Sequence, residues 1–292
     1  MTLREALRKG RNKLMPLGAE DDAELLFLAA FGLDRTRYLV CENDPADPEA
    51  LAVYKGYLER RLHYEPAAYI LGRWEFMGFP LRVDPSVLIP RLDTEILAGT
   101  AVEEASAHIL RQAPASFSML DLCTGSGCLA IAVLSMVADQ CPGACLVMDA
   151  CDLSEKALKT ARTNAKVNKK DINFYQGDLF EAVPNKTYDL IVSNPPYIES
   201  DVIDGLDPQV KDYEPRLALD GGKDGLDIYR RIIAEAADHL KPDGSLLMEI
   251  GDEQGQTVPD LARKESSLAF VKVVKDLEKR DRVCVFRKEP NV

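Results

Sequence analysis

Apolar residues recur three and four positions apart in the opening stretch "LREALRKGRNKL" (3–14), the period of a helix with one buried face. "DDAELLFLAAFGL" (21–33) begins with acids, which suit a helix N-terminus, and ends near Gly32. "DPEALAVYKGYLERRL" (47–62) carries Pro48 near its start, where a missing N–H costs nothing. Residues 1–75 therefore predict a small helical domain. They hold no catalytic constellation, and a substrate-recognition role is compatible with such a bundle.

The pattern breaks over 76–95, "FMGFPLRVDPSVLIPRLDTE", where Gly, Pro and Asp interrupt the run. "PLRV" and "SVLI" read as short strands, so a β-hairpin connector is expected there. Asp93 and Thr94 look like the start of the helix "TEILAGTAVEEASAHILRQ".

Apolar runs of strand length then alternate with helical periods over 96–292. The strands are "SMLDL", "CLVMDAC", "NFYQGD", "YDLIVSN" and "GSLLMEIG". The helices are "CLAIAVLSMVADQ", "SEKALKTARTNAKVN" and "GLDIYRRIIAEAADHL". This alternation predicts an α/β fold with a parallel sheet. The last stretch, "FVKVVKDLEKRDRVCVFRKE", reads as two strands around a charged turn, an antiparallel hairpin closing that sheet.

Composition narrows the function. With 292 residues, 46% hydrophobic and 29% charged, the chain has ample core for one large domain plus a smaller one. No apolar run approaches a membrane span. The N-terminus lacks the apolar segment and cleavage site of a secretory signal. Seven cysteines, an odd number with several in apolar runs, suit reduced thiols in the cytoplasm rather than a disulfide framework. His63, His108 and His239 are scattered and no second Cys/His pair joins Cys141 and Cys145, so no metal site is expected. The net charge of −12 argues against duplex DNA as the main substrate, because such proteins present a basic face to phosphate.

Chemistry enters at "LDLCTGSGCLA" (120–130), between a strand and a helix. Gly125 and Gly127 allow a tight turn and close approach of a ligand, and Gly125-x-Gly127-x-x-Ala130 fits a dinucleotide fingerprint. Asp152 follows the next strand, where a carboxylate can accept bonds from ribose hydroxyls. Loop and acid together point to an adenosine-containing cofactor without separating NAD from S-adenosylmethionine. Asp121, Asp152, Asp178 and Asn194 are all expected at the carboxyl ends of strands. That many carboxylates would repel a pyrophosphate and suit a sulfonium, which favours S-adenosylmethionine. Asp178 reads equally as an adenine contact or a strand-end cap.

"IVSNPPYIES" (191–200) raises the sharper question of why a buried strand should end in Asn194-Pro195-Pro196-Tyr197. Two prolines make the backbone stiff. The Asn194 side-chain oxygen and the Pro195 carbonyl can each accept an N–H bond from a planar amide or exocyclic amine. Two fixed acceptors would orient that poor nucleophile toward a methyl sulfonium. Tyr197 can lie against the planar group.

These strings, with "EPAAYILGRWEFMG", "LIPRLDTE", "CDLSEKAL", "YEPRLALDGGKDGLDIYRRII" and "LLMEIG", run in order from about residue 65 to 251. In that order the chain resembles the PrmC/HemK family of protein-(glutamine-N5) methyltransferases, which modify peptide chain release factors in support of translation termination. The resemblance implies a Rossmann-like, seven-stranded class I methyltransferase sheet behind a helical domain that grips the release factor. It implies S-adenosylmethionine bound by Cys123, Thr124, Gly125, Ser126, Gly127, Asp152, Asp178 and Leu179 with Asn194, and S-adenosylhomocysteine as product. It implies that the acceptor glutamine of a GGQ-type loop meets Asn194, Pro195, Pro196 and Tyr197, the first two being catalytic. A cytoplasmic monomer without direct DNA or membrane contact completes the expectation. Cys123 stands where the family has a glycine, so a positive φ is not expected there; Leu92 replaces a second proline. Three other readings remain at this point. They are a ribosomal-protein glutamine methyltransferase, an adenine-N6 nucleic-acid methyltransferase, and a non-catalytic S-adenosylmethionine-binding module.

Overall fold

Thr2 starts the first helix by a reciprocal cap. Its hydroxyl accepts from the Glu5 N–H at 3.2 Å, and the Glu5 carboxylate accepts from the Thr2 N–H at 3.0 Å. Five helices follow in the computed structural model, which describes residues 1–289: α1 Leu3–Leu14, α2 Glu20–Phe31, α3 Arg35–Cys41, α4 Pro48–Leu62 and α5 Ala67–Leu71. The chain then continues through β1 Trp74–Phe76, β2 Phe79–Leu81, α6 Leu92–Gln112, β3 Phe117–Leu122, α7 Cys128–Gln140, β4 Leu146–Asp152, α8 Glu155–Val167, β5 Asn173–Gln176 and β6 Tyr188–Ser193. It ends with α9 Pro208–Lys211, α10 Asp227–His239, β7 Leu240–Glu249, α11 Thr257–Glu265, β8 Leu268–Lys275 and β9 Asp281–Lys288.

These elements form two compact units, Met1–Arg73 with Asp207–Tyr213, and Trp74–Leu206 with Glu214–Val292. The first unit packs around Phe27, which meets Tyr38 and Tyr54 edge-on at centroid distances of 5.4 and 5.3 Å. Segment 207–213 joins it through side chains. The buried Arg61 donates to Asp22 at 2.7 Å and to Gln209 at 2.9 Å, and the Tyr213 hydroxyl donates to the His63 carbonyl at 2.6 Å. α3 and α5 have no counterpart in the sequence reading, being too short to show a helical period.

The second unit is a seven-stranded sheet in the order β5-β4-β3-β6-β7-β9-β8. All neighbours are parallel except β9, which runs against both β7 and β8. Every residue of β6 is buried, which explains the apolar run Leu190–Val192 between two covered faces. α6 and α7 cover one face and α10 the other. The strand order reverses direction between β3 and β6, the place in an open α/β sheet where ligands settle over the strand ends.

Several expected elements differ. The hairpin spans Trp74–Leu81, and Ser86–Ile89, expected as a strand, forms none. Pro85 and Pro90 bracket that stretch without N–H groups, the Val87 N–H turns back to the Asp84 carbonyl at 3.1 Å, and two further donors go to carboxylates. The Ser86 N–H donates to Asp84 at 2.8 Å, and the Ile89 N–H donates to Glu214 at 3.1 Å. β5 stops at Gln176, so Asp178 lies beyond the strand rather than at its end. α11, "TVPDLARKE", was not read from the sequence; it buries Val258, Pro259 and Ala262.

Candidate active site

A cleft opens over the carboxyl ends of β3, β4, β5 and β6. Its floor is the loop after β3, represented by Cys123, Thr124, Gly125 and Ser126. Asp152 and Leu153 line one side after β4, Asp178 and Leu179 follow β5, and Asn194 and Pro196 follow β6. Two stretches from elsewhere in the second unit close it: Val87, Leu88 and Pro90, and Pro215 with Leu217.

The loop is drawn tight by its own hydrogen bonds. The Thr124 N–H donates to the Cys151 carbonyl at 3.0 Å and the Gly127 N–H to the Thr124 carbonyl at 2.8 Å. This geometry sets φ at +54° for Gly125 and +80° for Gly127. A Cβ on Gly125 would meet no protein atom within 4 Å, so the space beside its backbone is left to a ligand. Gly127 caps α7 and is not part of the cleft wall.

Cys123 corrects the expectation drawn from its side chain. Its φ is +64°, so this position takes the left-handed conformation although a cysteine occupies it. The turn between β3 and α7 dictates the backbone there, and the cysteine tolerates it at a cost of about 1–2 kcal/mol. Burial pushes its thiol well above the ordinary range, with the Asp152 charge adding to the shift. Both effects disfavour the thiolate, which is the nucleophilic form.

Asp152 is held by backbone N–H groups. Oδ2 accepts from Gly125 at 2.9 Å and Oδ1 from Ser154 at 2.8 Å. Asp152 lines the cleft, and a carboxylate oxygen that takes one N–H has further capacity to accept, which is what a vicinal diol requires. Burial raises its pKa, opposed by those two N–H bonds.

Asp121 does not join the cleft. It is fully buried beneath the loop, where Oδ2 accepts from the Thr124 hydroxyl at 2.5 Å and from the Ala130 N–H at 3.1 Å. Burial pushes its carboxyl up to about 7. Asp178 does reach the cleft but pairs with Arg231 at 2.9 Å, so its charge is not free, and with β5 ending at Gln176 it does not cap that strand. The carboxylate cluster inferred from the sequence thus reduces to Asp152 and a neutralised Asp178. The charge argument against a pyrophosphate loses most of its force.

Asn194 is steered by a residue the sequence reading passed over. Its side-chain nitrogen donates to the Thr94 hydroxyl at 3.1 Å, which turns Oδ1 away from that contact. Pro195 is buried, and neither it nor Tyr197 forms part of the cleft wall. The Tyr197 hydroxyl instead points toward Glu249 at 3.5 Å. The Asn194–Tyr197 loop rests on the segment after α9. Ile198 exchanges backbone bonds with this segment, its N–H donating to the Leu219 carbonyl at 3.0 Å and its carbonyl accepting from the Gly221 N–H at 2.8 Å. A Cβ on Gly221 would stand 2.7 Å from the Tyr197 Cα, so only glycine fits. Glu214, also in this segment, ties it to Ile89 and Arg91. The strings "LIPRLDTE" and "YEPRLALDGG" are therefore braces for the cleft. Thr94, Glu214 and Gly221 carry no local sequence signal, because each acts on a residue far away in the chain.

The PrmC N-terminal domain model matches residues 5–72, and the methyltransferase small domain model matches residues 93–205. The release factor glutamine methyltransferase of Geobacter sulfurreducens is 44% identical over 260 residues, 88% of this chain and 87% of that protein. This chain belongs to the release factor glutamine methyltransferase family. The member from Caulobacter vibrioides is 38% identical over 297 residues, 99% of this chain and 98% of its own length. Among solved structures, SMU.776 complexed with SAH aligns with a TM-score of 0.50 at 10% identity, over 74% of this chain and 56% of that one, a likeness of fold. Membership makes the chain an S-adenosylmethionine-dependent methyltransferase. Among the described residues no helix is long and apolar enough to cross a membrane.

Proposed function

We propose that this enzyme methylates the side-chain amide nitrogen of the glutamine in the GGQ-type loop of peptide chain release factors. The observation that carries this reading is the Asn194 side chain, fixed through its nitrogen on Thr94 at the mouth of a cofactor-sized cleft. Family membership supplies the reaction class, and the curated relatives named above are release factor glutamine methyltransferases.

The residues present fit S-adenosylmethionine. Asp152 would accept from the ribose hydroxyls, Cys123–Ser126 would cradle the amino-acid portion with Gly127 shaping the turn behind them, and Asp178 with Leu179 would flank the adenine. When bound, the cofactor supplies an electrophilic methyl group on a sulfonium and leaves as S-adenosylhomocysteine. Asn194 Oδ1 and the Pro195 carbonyl would accept the two N–H bonds of the glutamine amide. That holds the nitrogen in line with the S–C bond and stabilises the positive charge developing on it. On transfer the amide nitrogen would gain the methyl group and give up one proton to solvent, with the neutral thioether as leaving group. Pro196 keeps this loop stiff, and Tyr197 supports it from beneath. Domain roles follow: the helices of residues 1–75 grip the release factor, and residues 96–292 carry the chemistry in the cytoplasm.

The test is direct. The protein is incubated with methyl-labelled S-adenosylmethionine and, separately, a release factor, ribosomal proteins and DNA, and labelled residues are mapped by mass spectrometry. Label on the release-factor glutamine alone supports the reading; label only on ribosomal protein or adenine overturns it.

A further inference from the structure

The stretches "GGKDGLD" (221–227) and "LLMEIG" (246–251) have glycines that the scheme above leaves without a task. Both stretches come together at Tyr197. A Cβ on Gly225 would stand 2.4 Å from the Tyr197 carbonyl oxygen, so only glycine lets the backbone pass this close. The third party is Gln254, half-buried in the turn after β7. Its Nε2 donates to the Tyr197 and Gly225 carbonyls, each at 3.3 Å, and its Oε1 accepts from the Gly251 N–H at 2.9 Å. The Gln254 backbone N–H donates to the Gly251 carbonyl at 2.9 Å and closes the turn that presents this side chain.

A side-chain amide turned end for end has nearly the same shape, so its partners decide its orientation. Each partner of Gln254 has one role only: a backbone N–H donates and a carbonyl accepts. Turned round, the amide would set its oxygen against two carbonyls and its NH2 against an N–H. The clamp also acts where it matters. The Ser193 hydroxyl donates to the Leu122 carbonyl at 2.7 Å and pins the chain as it leaves β6. Gln254 pins it again at Tyr197. Only Asn194, Pro195 and Pro196 lie between, and proline fixes φ at two of them. A shift of the Tyr197 carbonyl is therefore passed to the Pro195 carbonyl instead of being absorbed by bond rotation.

Building on the proposed glutamine methylation, we infer that Gln254 is a positioning residue for methyl transfer. It forms no part of the cleft wall and acts through Tyr197, setting where the Pro195 carbonyl meets the glutamine amide. Gly221 holds the next residue, Ile198, by its backbone, whereas the Gln254 hold can be removed by side-chain chemistry alone. Gln254→Glu keeps the size and the oxygen for Gly251 but turns a second oxygen on two carbonyls in place of a donor. The transfer step should suffer and cofactor binding should not, because the loops after β3 and β4 hold the cofactor side of the cleft.

The experiment is single-turnover methylation of an intact release factor, with the half-saturating factor concentration and the S-adenosylmethionine affinity measured on the same preparations. It compares wild type, Gln254→Ala, Gln254→Glu and Gln256→Glu, the last an exposed neighbour that bonds Asp260 at 3.1 Å and controls for the added charge. Expected are a saturated rate about tenfold or more below wild type in Gln254→Ala, and a rate at least as low in Gln254→Glu. Both should keep cofactor affinity and half-saturation within about threefold of wild type, and Gln256→Glu should match wild type throughout. A wild-type rate in either Gln254 variant, a loss of rate matched by an equal loss of cofactor affinity, or an equal slowing in Gln256→Glu would overturn the inference. Gln254→Ala decides alone if Gln254→Glu does not fold, and failure of both to fold would overturn it in favour of a purely structural role. Absence of release-factor methylation by wild type would overturn the functional reading together with this one. Methylation by wild type with an indifferent Gln254→Ala would overturn this one only.

Discussion

The side-chain nitrogen of Asn194 donates to the hydroxyl of Thr94 at 3.1 Å, across 100 positions of sequence. The bond joins the turn after the central strand β6 to the first turn of α6. It converts a half-buried amide with two orientations into a side chain with one free acceptor. The stiff Asn-Pro-Pro-Tyr backbone sets where that acceptor stands, and Thr94 sets which atom it is.

Asp152 should govern cofactor binding. Asp152→Ala removes an acceptor for the ribose hydroxyls and strands the Gly125 and Ser154 N–H groups. Charge-assisted hydrogen bonds contribute about 1.5–3 kcal/mol, so affinity for S-adenosylmethionine should fall by about tenfold to a hundredfold. Calorimetry that finds the mutant binding like wild type would remove Asp152 from the site.

Cys123 offers a test of backbone rather than side chain. At φ +64° a β-branched residue is more strained than cysteine, and glycine is not strained at all. Cys123→Val should destabilise the fold by about 2 kcal/mol or more, whereas Cys123→Gly should stay within about 1 kcal/mol of wild type. Denaturant unfolding that ranks valine equal to glycine would contradict the left-handed turn.

Much of this architecture was legible beforehand. The alternation of apolar strands and helices gave the sheet, because buried parallel strands need continuous apolar runs and α7 is covered on nearly every side. The loop and the Asn-Pro-Pro-Tyr turn stood out because their glycines and prolines change the backbone locally. What stayed hidden works over distance. Asp121 looks like a ligand acid by position, yet the same strand end turns it under the loop. Ser86–Ile89 looks like a strand, yet Glu214, far along the chain, takes its N–H. Cys123 shows that a turn can impose a left-handed φ on a residue type that disfavours it.

Asp121 should leave a mark on stability. Its folded pKa, about 7, lies above the ordinary 3.8, so the native state holds the proton more tightly than the unfolded chain. Its contribution is fully present below the unfolded value and is lost as pH rises through the folded one. Asp121→Asn keeps an acceptor for Thr124 and Ala130 and has no proton to lose. Relative to wild type it should therefore gain stability between about pH 5 and about pH 8. An equal difference at both pH values, from denaturant unfolding, would show that Asp121 is not perturbed.

Gly221 should separate the acceptor side of the cleft from the cofactor side. An alanine there would press its Cβ on the Tyr197 Cα, 2.7 Å away, and push the Asn194–Tyr197 loop out of place. Gly221→Ala should lose methyl transfer by about tenfold or more, since small misplacements are costly to in-line chemistry. S-adenosylmethionine should still bind, because Cys123–Ser126 and Asp152 are held by the loops after β3 and β4. Parallel losses of cofactor affinity and turnover would contradict that separation.

The central claim is that the Asn194 oxygen and the Pro195 carbonyl hold the acceptor nitrogen in line. Single-turnover methylation of the release-factor glutamine, with cofactor affinity measured on the same preparations, tests it most directly. Asn194→Ala removes one of two preorganised partners, for which a loss of about 10²–10³ in rate is expected. Its cofactor affinity should change far less than its rate. Asn194→Asp keeps an oxygen but adds a charge beside the sulfonium and removes the donor that Thr94 accepts. It should bind the cofactor as well as wild type or better and still transfer slowly. A wild-type rate in Asn194→Ala would reduce Asn-Pro-Pro-Tyr to a strand terminator and contradict the account.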